Sequence, residues 1–497
     1  MVWRVFCLLL SGICIRAAVP SLDCLYPVAV RRGTTNTISA VGKFDPWPPK
    51  IWTSAAGVTF VAETNKGKLH IEVAPDAKPG PYFVRAHNEQ GASAPRFLLI
   101  TATAETSEIE PNNDFQTAQK VERFPAVING RFDKTDDVDT YRFDLAKGGM
   151  VASVEAYVLA SPVDAALRLL DARGVEVAFN HDDGRTLDPE IVYTAPASGT
   201  YFLEAFGFNY PADSSIHFIG NDKCVYRLHI ATGISPKREE LVTAAQKEVE
   251  PNNTATNATP VDVPCQVSGC IDSCDDEDVF RFTAKKSEKY LLKVQSAVFG
   301  FPLDARLAIK NEKQDEVAKA DDGIGADPVL EWNPGNDGTF YAVVRNVLHR
   351  GGPDHLYRFS IERPEPTLKA TIAEHAIAIE AGKTNKLKVT LKRLYGFDAK
   401  LTLTVEGLPE GVQTEPLEVD AKASEAAPTL VASADAKPFS GPIRIIAKDS
   451  NAAYPVIHEL ISSGEDNGVP NGYSRLLINT IDQFWLTVTV PAQKTTP

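Results

Sequence analysis

At 497 residues the chain is too long for one hydrophobic core, and 43% hydrophobic residues is enough for several packed domains. Lys and Arg number 51 against 65 Asp and Glu, a net charge of -14 that repels nucleic acid and anionic lipid and sets both aside as partners. Hard cations are attracted only where carboxylates cluster.

Residues 1–17 read as an export signal: Arg4 opens it, Val5 to Ile15 is apolar, and Ala17-Ala18 offers a cleavage site. The run is too short to span a bilayer and no other stretch is long enough, so the expected location is secreted, periplasmic or cell surface. From there nearly every segment reads as β. Residues 18–104 form a first unit, with strands at Lys68 to Val73 and Tyr82 to Arg85 about a turn at Ala77 to Pro81. Residues 105–233 and 247–363 form two central units, joined by a polar linker at 234–246 that contains Pro236. Strands are expected at Val151 to Ala156, Tyr201 to Ala205 and Tyr226 to Ile230, with one short helix per unit, over Phe115 to Val121 and after Asn252. The run Tyr201, Phe202, Phe206, Phe208, Tyr210 reads as core filling. Residues 364–497 form a last β unit, with strands at Lys386 to Leu391, Leu401 to Val405 and Gln483 to Val490, and a long loop from Ser462 to Tyr473. The fold class is all-β: tandem β-sandwiches.

Beyond the signal stand Cys24, Cys224, Cys265, Cys270 and Cys274, an odd number. Outside the cytoplasm one or two disulfides are expected, with a local bridge in the second central unit.

The two central units repeat each other. Glu108-Ile-Glu-Pro-Asn-Asn113 returns as Glu248-Val-Glu-Pro-Asn-Asn253, and Asp136-Asp-Val-Asp-Thr-Tyr-Arg-Phe143 as Asp275-Asp-Glu-Asp-Val-Phe-Arg-Phe282. Pro162-Val-Asp164 answers Pro302-Leu-Asp304, Asp182-Asp-Gly184 answers Asp321-Asp-Gly323, and Gly199-Thr-Tyr answers Gly338-Thr-Phe. In an extended segment Glu108 and Glu110 face the same way, and Pro111 favours that form. Two carboxylates side by side ask for a cation. Asn112, Asn113, Asp136 and Asp139 supply further oxygens, an all-oxygen set of the kind calcium takes. The plainer account is a linker end that caps a helix, with the aspartates in solvated turns; recurrence of both clusters at matched spacing favours the ion.

These motifs resemble the bacterial pre-peptidase C-terminal domain, a β-sandwich that accompanies many secreted peptidases. They are similar as well to the collagen-binding domains of clostridial collagenases, which bind calcium through this type of N-terminal segment. The resemblance covers about half the chain. It implies ligands at Glu108, Glu110, Asn112, Asn113, Asp136 and Asp139, and in the second copy at Glu248, Glu250, Asn252, Asn253, Asp275 and Asp278. The flanking units resemble immunoglobulin-like domains. No His-Glu-x-x-His helix, Gly-x-Ser-x-Gly elbow or phosphate-binding glycine loop is present, and His181 beside Asp182 reads as a solvated turn. The expectation is a non-catalytic protein that binds an extracellular protein or polysaccharide through calcium-stabilised modules. The alternative is an exported hydrolase or the accessory subunit of a secreted peptidase.

Overall fold

The computed structural model describes residues 18–182, 186–210, 212, 214–233, 239–241, 246–321, 323–324, 327–463 and 475–490. The export-signal reading and most of the 462–473 loop fall outside them, as does most of 234–246. Within that last interval Leu241 is buried and the Glu240 carbonyl accepts from Arg358, so this part of the segment is docked.

Alternation of apolar and polar residues makes strands that bury one face, and the strands pair into sheets that stack around separate cores. The first unit stacks a four-stranded sheet (order Ser21–Tyr26, Thr35–Lys43, Lys68–Val73, Val58–Ala62) on one built from Ala29–Arg31, Arg96–Thr101, Gly80–Asn88 and Lys50–Thr53. Its core includes Leu22, Ile38, Leu69, Ile71, Val84 and Leu98.

The central units share one topology. In the first, one sheet runs Thr106–Ser107, Ala126–Arg131, Val225–Thr232, Gly148–Glu155, Glu190–Ala195. The other runs Gln119–Lys120, Asp139–Leu145, Gly199–Asn209, Val163–Asp171, Glu176–Asn180. The second unit repeats both orders, from Gln246–Lys247 in one sheet and Thr259–Pro260 in the other, and adds Gly323–Ile324 at an edge. The short opening strands pair in parallel, Thr106 with Ile128 and Gln119 with Tyr141. The segment between them therefore leaves the edge of one sheet and joins the edge of the other, crossing the open end of the sandwich. The same crossing recurs from Gln246 to Pro260. The last unit carries a ten-stranded sheet, in which Phe484–Thr489 is central to the packing, against a three-stranded one.

Three expectations are corrected. The stretch Phe115 to Val121 is a turn leading into the strand Gln119–Lys120, not a helix. Asp114 Oδ1 accepts from the backbone N–H groups of Gln116 and Thr117, which closes an Asx turn, and the crossing leaves too few residues for a helix. After Asn252, Asn257 Oδ1 closes the matching turn on Thr254. The five cysteines are free thiols, so neither the local bridge nor any other disulfide joins them. Of the aromatic run, Tyr201 belongs to the sandwich core. Phe202 and Phe206 are buried too, but on the other face of the strand, under Phe115 (4.4 Å) and Phe218 (4.7 Å) respectively, and only Phe208 of the four is exposed. Register explains this: alternate residues of the strand Gly199–Asn209 point to opposite faces.

Candidate metal centres

Each crossing segment lays its Glu-x-Glu-Pro-Asn-Asn motif over the end of a sandwich. In the first copy the Asn112 carbonyl accepts from the Thr140 N–H (2.8 Å), which pins the segment to the start of the strand Asp139–Leu145. The Asn112 amide side chain is wholly buried, and neither its oxygen nor its nitrogen has a hydrogen-bond partner. Asp139 is also wholly buried; its Oδ2 accepts from the Tyr226 hydroxyl, and its Oδ1 has no partner. Glu110, Asp137 and Asp139 offer oxygens within 4.8 Å of one another.

Around this centre the remaining groups are fixed. Glu110 accepts from the Asn112 N–H. Asn113 donates to Asp137 Oδ1 (2.6 Å), and Asp137 Oδ2 accepts from the Asp133 N–H. Glu108 accepts from the Arg131 N–H (2.8 Å) and from the hydroxyl of Tyr26, a residue of the first unit (3.0 Å). The guanidinium of Arg131 lies 4.7 Å from the centre of the Tyr26 ring.

The second copy reproduces the arrangement. Asn252 is wholly buried with both side-chain polar atoms unpartnered, and its carbonyl accepts from the Val279 N–H. Asp278 Oδ2 accepts from the Tyr357 hydroxyl and its Oδ1 has no partner. Here Glu248, Glu250 and Asp278 offer oxygens within 4.8 Å of one another. Glu248 accepts from the Cys270 N–H and from Tyr357 itself, so one tyrosine does what Tyr26 and Tyr226 share in the first copy. Asn253 donates to Asp276, which accepts from the Asp272 N–H.

The electrostatics are those of crowded anions. Burial, then the charge of Glu108, raises Asp139 well above the carboxylate range. Burial, then Glu248, does the same to Asp278. Burial is the main cause lifting Glu108 and Glu248 to about 7. For groups in this state the charged form is disfavoured unless a positive charge joins them. The donor set is all oxygen, half of it buried and unpartnered, which fits a hard divalent ion and offers nothing to a soft one.

Three of the carboxylates expected as ligands stand outside these groups: Glu108, which is held by the Arg131 N–H and the Tyr26 hydroxyl, and the turn aspartates Asp136 and Asp275. Asp136 and Asp275 adopt left-handed backbone (φ 61° and 62°), which swings their carboxylates away from the centre. Asp136 accepts from the Phe218 N–H near His217, and Asp275 meets His349 Nδ1 at 2.6 Å. Their neighbours Asp137 and Asp276 turn inward instead. Sequence reasoning also missed Tyr226 and Tyr357, and the glycines that admit them. Gly130 is the cross-strand partner of Tyr226 and Gly269 of Tyr357. A Cβ on Gly130 would sit 2.1 Å from the Tyr226 ring, and one on Gly269 2.4 Å from the Tyr357 ring. The recurrence of these glycines at the repeat offset was the available signal.

No family model matches the chain. A stretch of 175 residues, 35% of the chain, is 25% identical to Collagenase ColA of Clostridium perfringens (strain 13 / Type A) and spans 15% of that protein. Among solved structures, the pre-peptidase C-terminal domain of a Bacillus anthracis collagenase matches over 22% of this chain and 100% of its own, at 18% identity and a TM-score of 0.19. The fibronectin(III)-like modules of Clostridium thermocellum CbhA match over 50% of this chain and 97% of their own, at 12% identity and a TM-score of 0.15. Part of the chain is thus related in sequence to part of a collagenase.

Proposed function

We propose that this is a non-catalytic binding protein whose two central sandwiches each hold one calcium ion and together present a surface to an extracellular protein. The observation that carries the metal part is the duplicated set of buried, partnerless oxygens, on Asn112 and Asp139 and again on Asn252 and Asp278. An unpaired buried oxygen costs roughly 1–3 kcal/mol, more if charged, and a bound cation removes that cost at every one of them. Glu110 and Asp137 are the further ligands in the first site, Glu248 and Glu250 in the second. Bound calcium would neutralise each carboxylate group and fasten the crossing segment to its sandwich.

The partner class rests on the partial likeness to a collagenase, which makes collagen the first candidate to try. A secreted or surface location belongs to the same reading.

Two measurements test it. Calorimetric titration of chelator-stripped protein should find two calcium sites, reduced to one by Asp139→Ala or by Asp278→Ala. Absence of uptake by folded protein sinks the metal reading. Immobilised collagen should retain the calcium-loaded protein about tenfold better than a polysaccharide matrix, a difference near 1.4 kcal/mol. Equal retention, or release of new peptide ends from the collagen, overturns the binding reading.

A further inference from the structure

The first, second and fourth units meet around a cleft of about 670 Å³. Its wall includes Arg96 of the first unit, Ser161 and Tyr210 of the second, and His375, His458 and Leu460 of the fourth. Directly behind His375 lies Arg85, 1% exposed. Its guanidinium donates to the carbonyls of Ser93 (2.9 Å) and His375 (3.3 Å), and its Nη1 lies 3.1 Å from His375 Nδ1. Arg96 donates to main-chain carbonyls as well, from Nε to Asp23 and from Nη1 to Pro95. The Asp23 carboxylate is taken by Lys223 (3.0 Å). Among the described residues, then, neither arginine forms a salt bridge with a carboxylate, and the Asp23 charge reaches Arg96 only from beyond that contact.

A buried guanidinium without a counter-ion is costly, and carbonyl dipoles offset only part of the cost. Burial draws Arg85 down to about 10, which leaves it charged at neutral pH. A guanidinium only donates, so His375 Nδ1 is an acceptor and the ring proton sits on Nε2, at the edge away from Arg85. His458 Nδ1 faces the Ile372 carbonyl at 3.3 Å, so that nitrogen carries a proton too. The one carboxylate in the wall, Glu459, is paired with Lys369. In a chain of net charge -14 this cleft is locally cationic, and Ile372, Leu460 and Ile478 give it an aliphatic side.

We infer that the cleft is a binding site for a carboxylate carried on an aliphatic body, as at the free end of a peptide chain. Arg96 and the Nε2–H of His375 hold the carboxylate, Arg85 supplies charge from behind, and the aliphatic wall takes the side chain. The site stands apart from both metal centres and does not depend on them.

Equilibrium dialysis of the full chain against N-acetyl-leucine and against its amide tests this. The acid should bind at least about tenfold more tightly than the amide, as loss of charge-assisted hydrogen bonds requires. Arg96→Gln should weaken the acid by about the same factor and leave the amide unchanged. Leu460→Trp, which fills the aliphatic part without touching a charge, should abolish binding of both, and it stands as the test if Arg96→Gln does not fold. Equal binding of acid and amide, no saturable binding at millimolar ligand, or indifference to Leu460→Trp overturns the proposal.

Discussion

At the scale of single residues, the sites depend on two tyrosines that lie flat across glycines. Gly130→Ala and Gly269→Ala put a methyl into the ring of Tyr226 or Tyr357, each wholly buried and each donating to an aspartate of the site. Overpacking of this kind costs about 1–3 kcal/mol, to be read as a lower urea midpoint at unchanged slope. The raised carboxylates set a pH dependence in the metal-free protein. Glu108 and Glu248 move from 4.5 to about 7, so between those values the folded state holds protons that the unfolded state has released. Stability from these groups is present below pH 4.5 and is lost as the pH rises through about 7. Chelator-treated protein should therefore melt higher at pH 5.5 than at pH 8, and excess calcium should cancel or reverse the order; denaturation scans at both pH values decide it. The sequence was legible here for Asn112, Asp139, Asn252 and Asp278, because each residue of the first copy recurs in the second at nearly the same offset. It misled for Asp136 against Asp137, and for Asp275 against Asp276. A left-handed residue in the turn reverses which of two adjacent carboxylates points inward, and composition carries no trace of that reversal.

At the scale of elements, the crossing segments are the part that ion binding should change most. Each is held by strands of only two residues, at Thr106–Ser107 and Gln119–Lys120 and at Gln246–Lys247 and Thr259–Pro260. So little pairing leaves the segment near the low-stability end of the fold until its carboxylates are neutralised. With free calcium 100-fold above its dissociation constant, each site should contribute about 2.7 kcal/mol of stability. Amide exchange across residues 108–120 and 248–260 should slow by far more than exchange in the central strands; uniform slowing contradicts the assignment of the ion to the crossings. The strands themselves could be read from alternation, as in Lys68–Val73 and Leu401–Glu406, because one buried face imposes a period of two. The helices expected after Asn112 and Asn252 failed for the opposite reason. Helix-compatible residues were confined between two sheet edges, and side-chain oxygens of Asp114 and Asn257 closed turns sooner.

At the scale of the whole molecule, the first and last units touch. Trp485, 1% exposed in the fourth unit, packs edge-on against Trp52 of the first (5.7 Å) and lies 4.7 Å from the His87 ring. The first unit also docks on the second, through Tyr26 to Glu108, through the Ala29 N–H to Asn129, and through Lys223 to Asp23. None of these pairings was legible in the sequence, since each joins residues of different units by surface fit and not by any periodic pattern. Trp485→Ala removes a large ring from the seam and should cost about 3–5 kcal/mol. Small-angle scattering should show a larger radius of gyration if the seam alone holds the two units together, and an unchanged one if the contact through Arg85 and His375 suffices.

That seam gives the chain a mechanical bypass. A pull entering by the first unit and leaving by the fourth would be carried across Trp52 and Trp485 directly. The tandem sandwiches, with whatever they grip, would feel the load only after the tryptophans had parted.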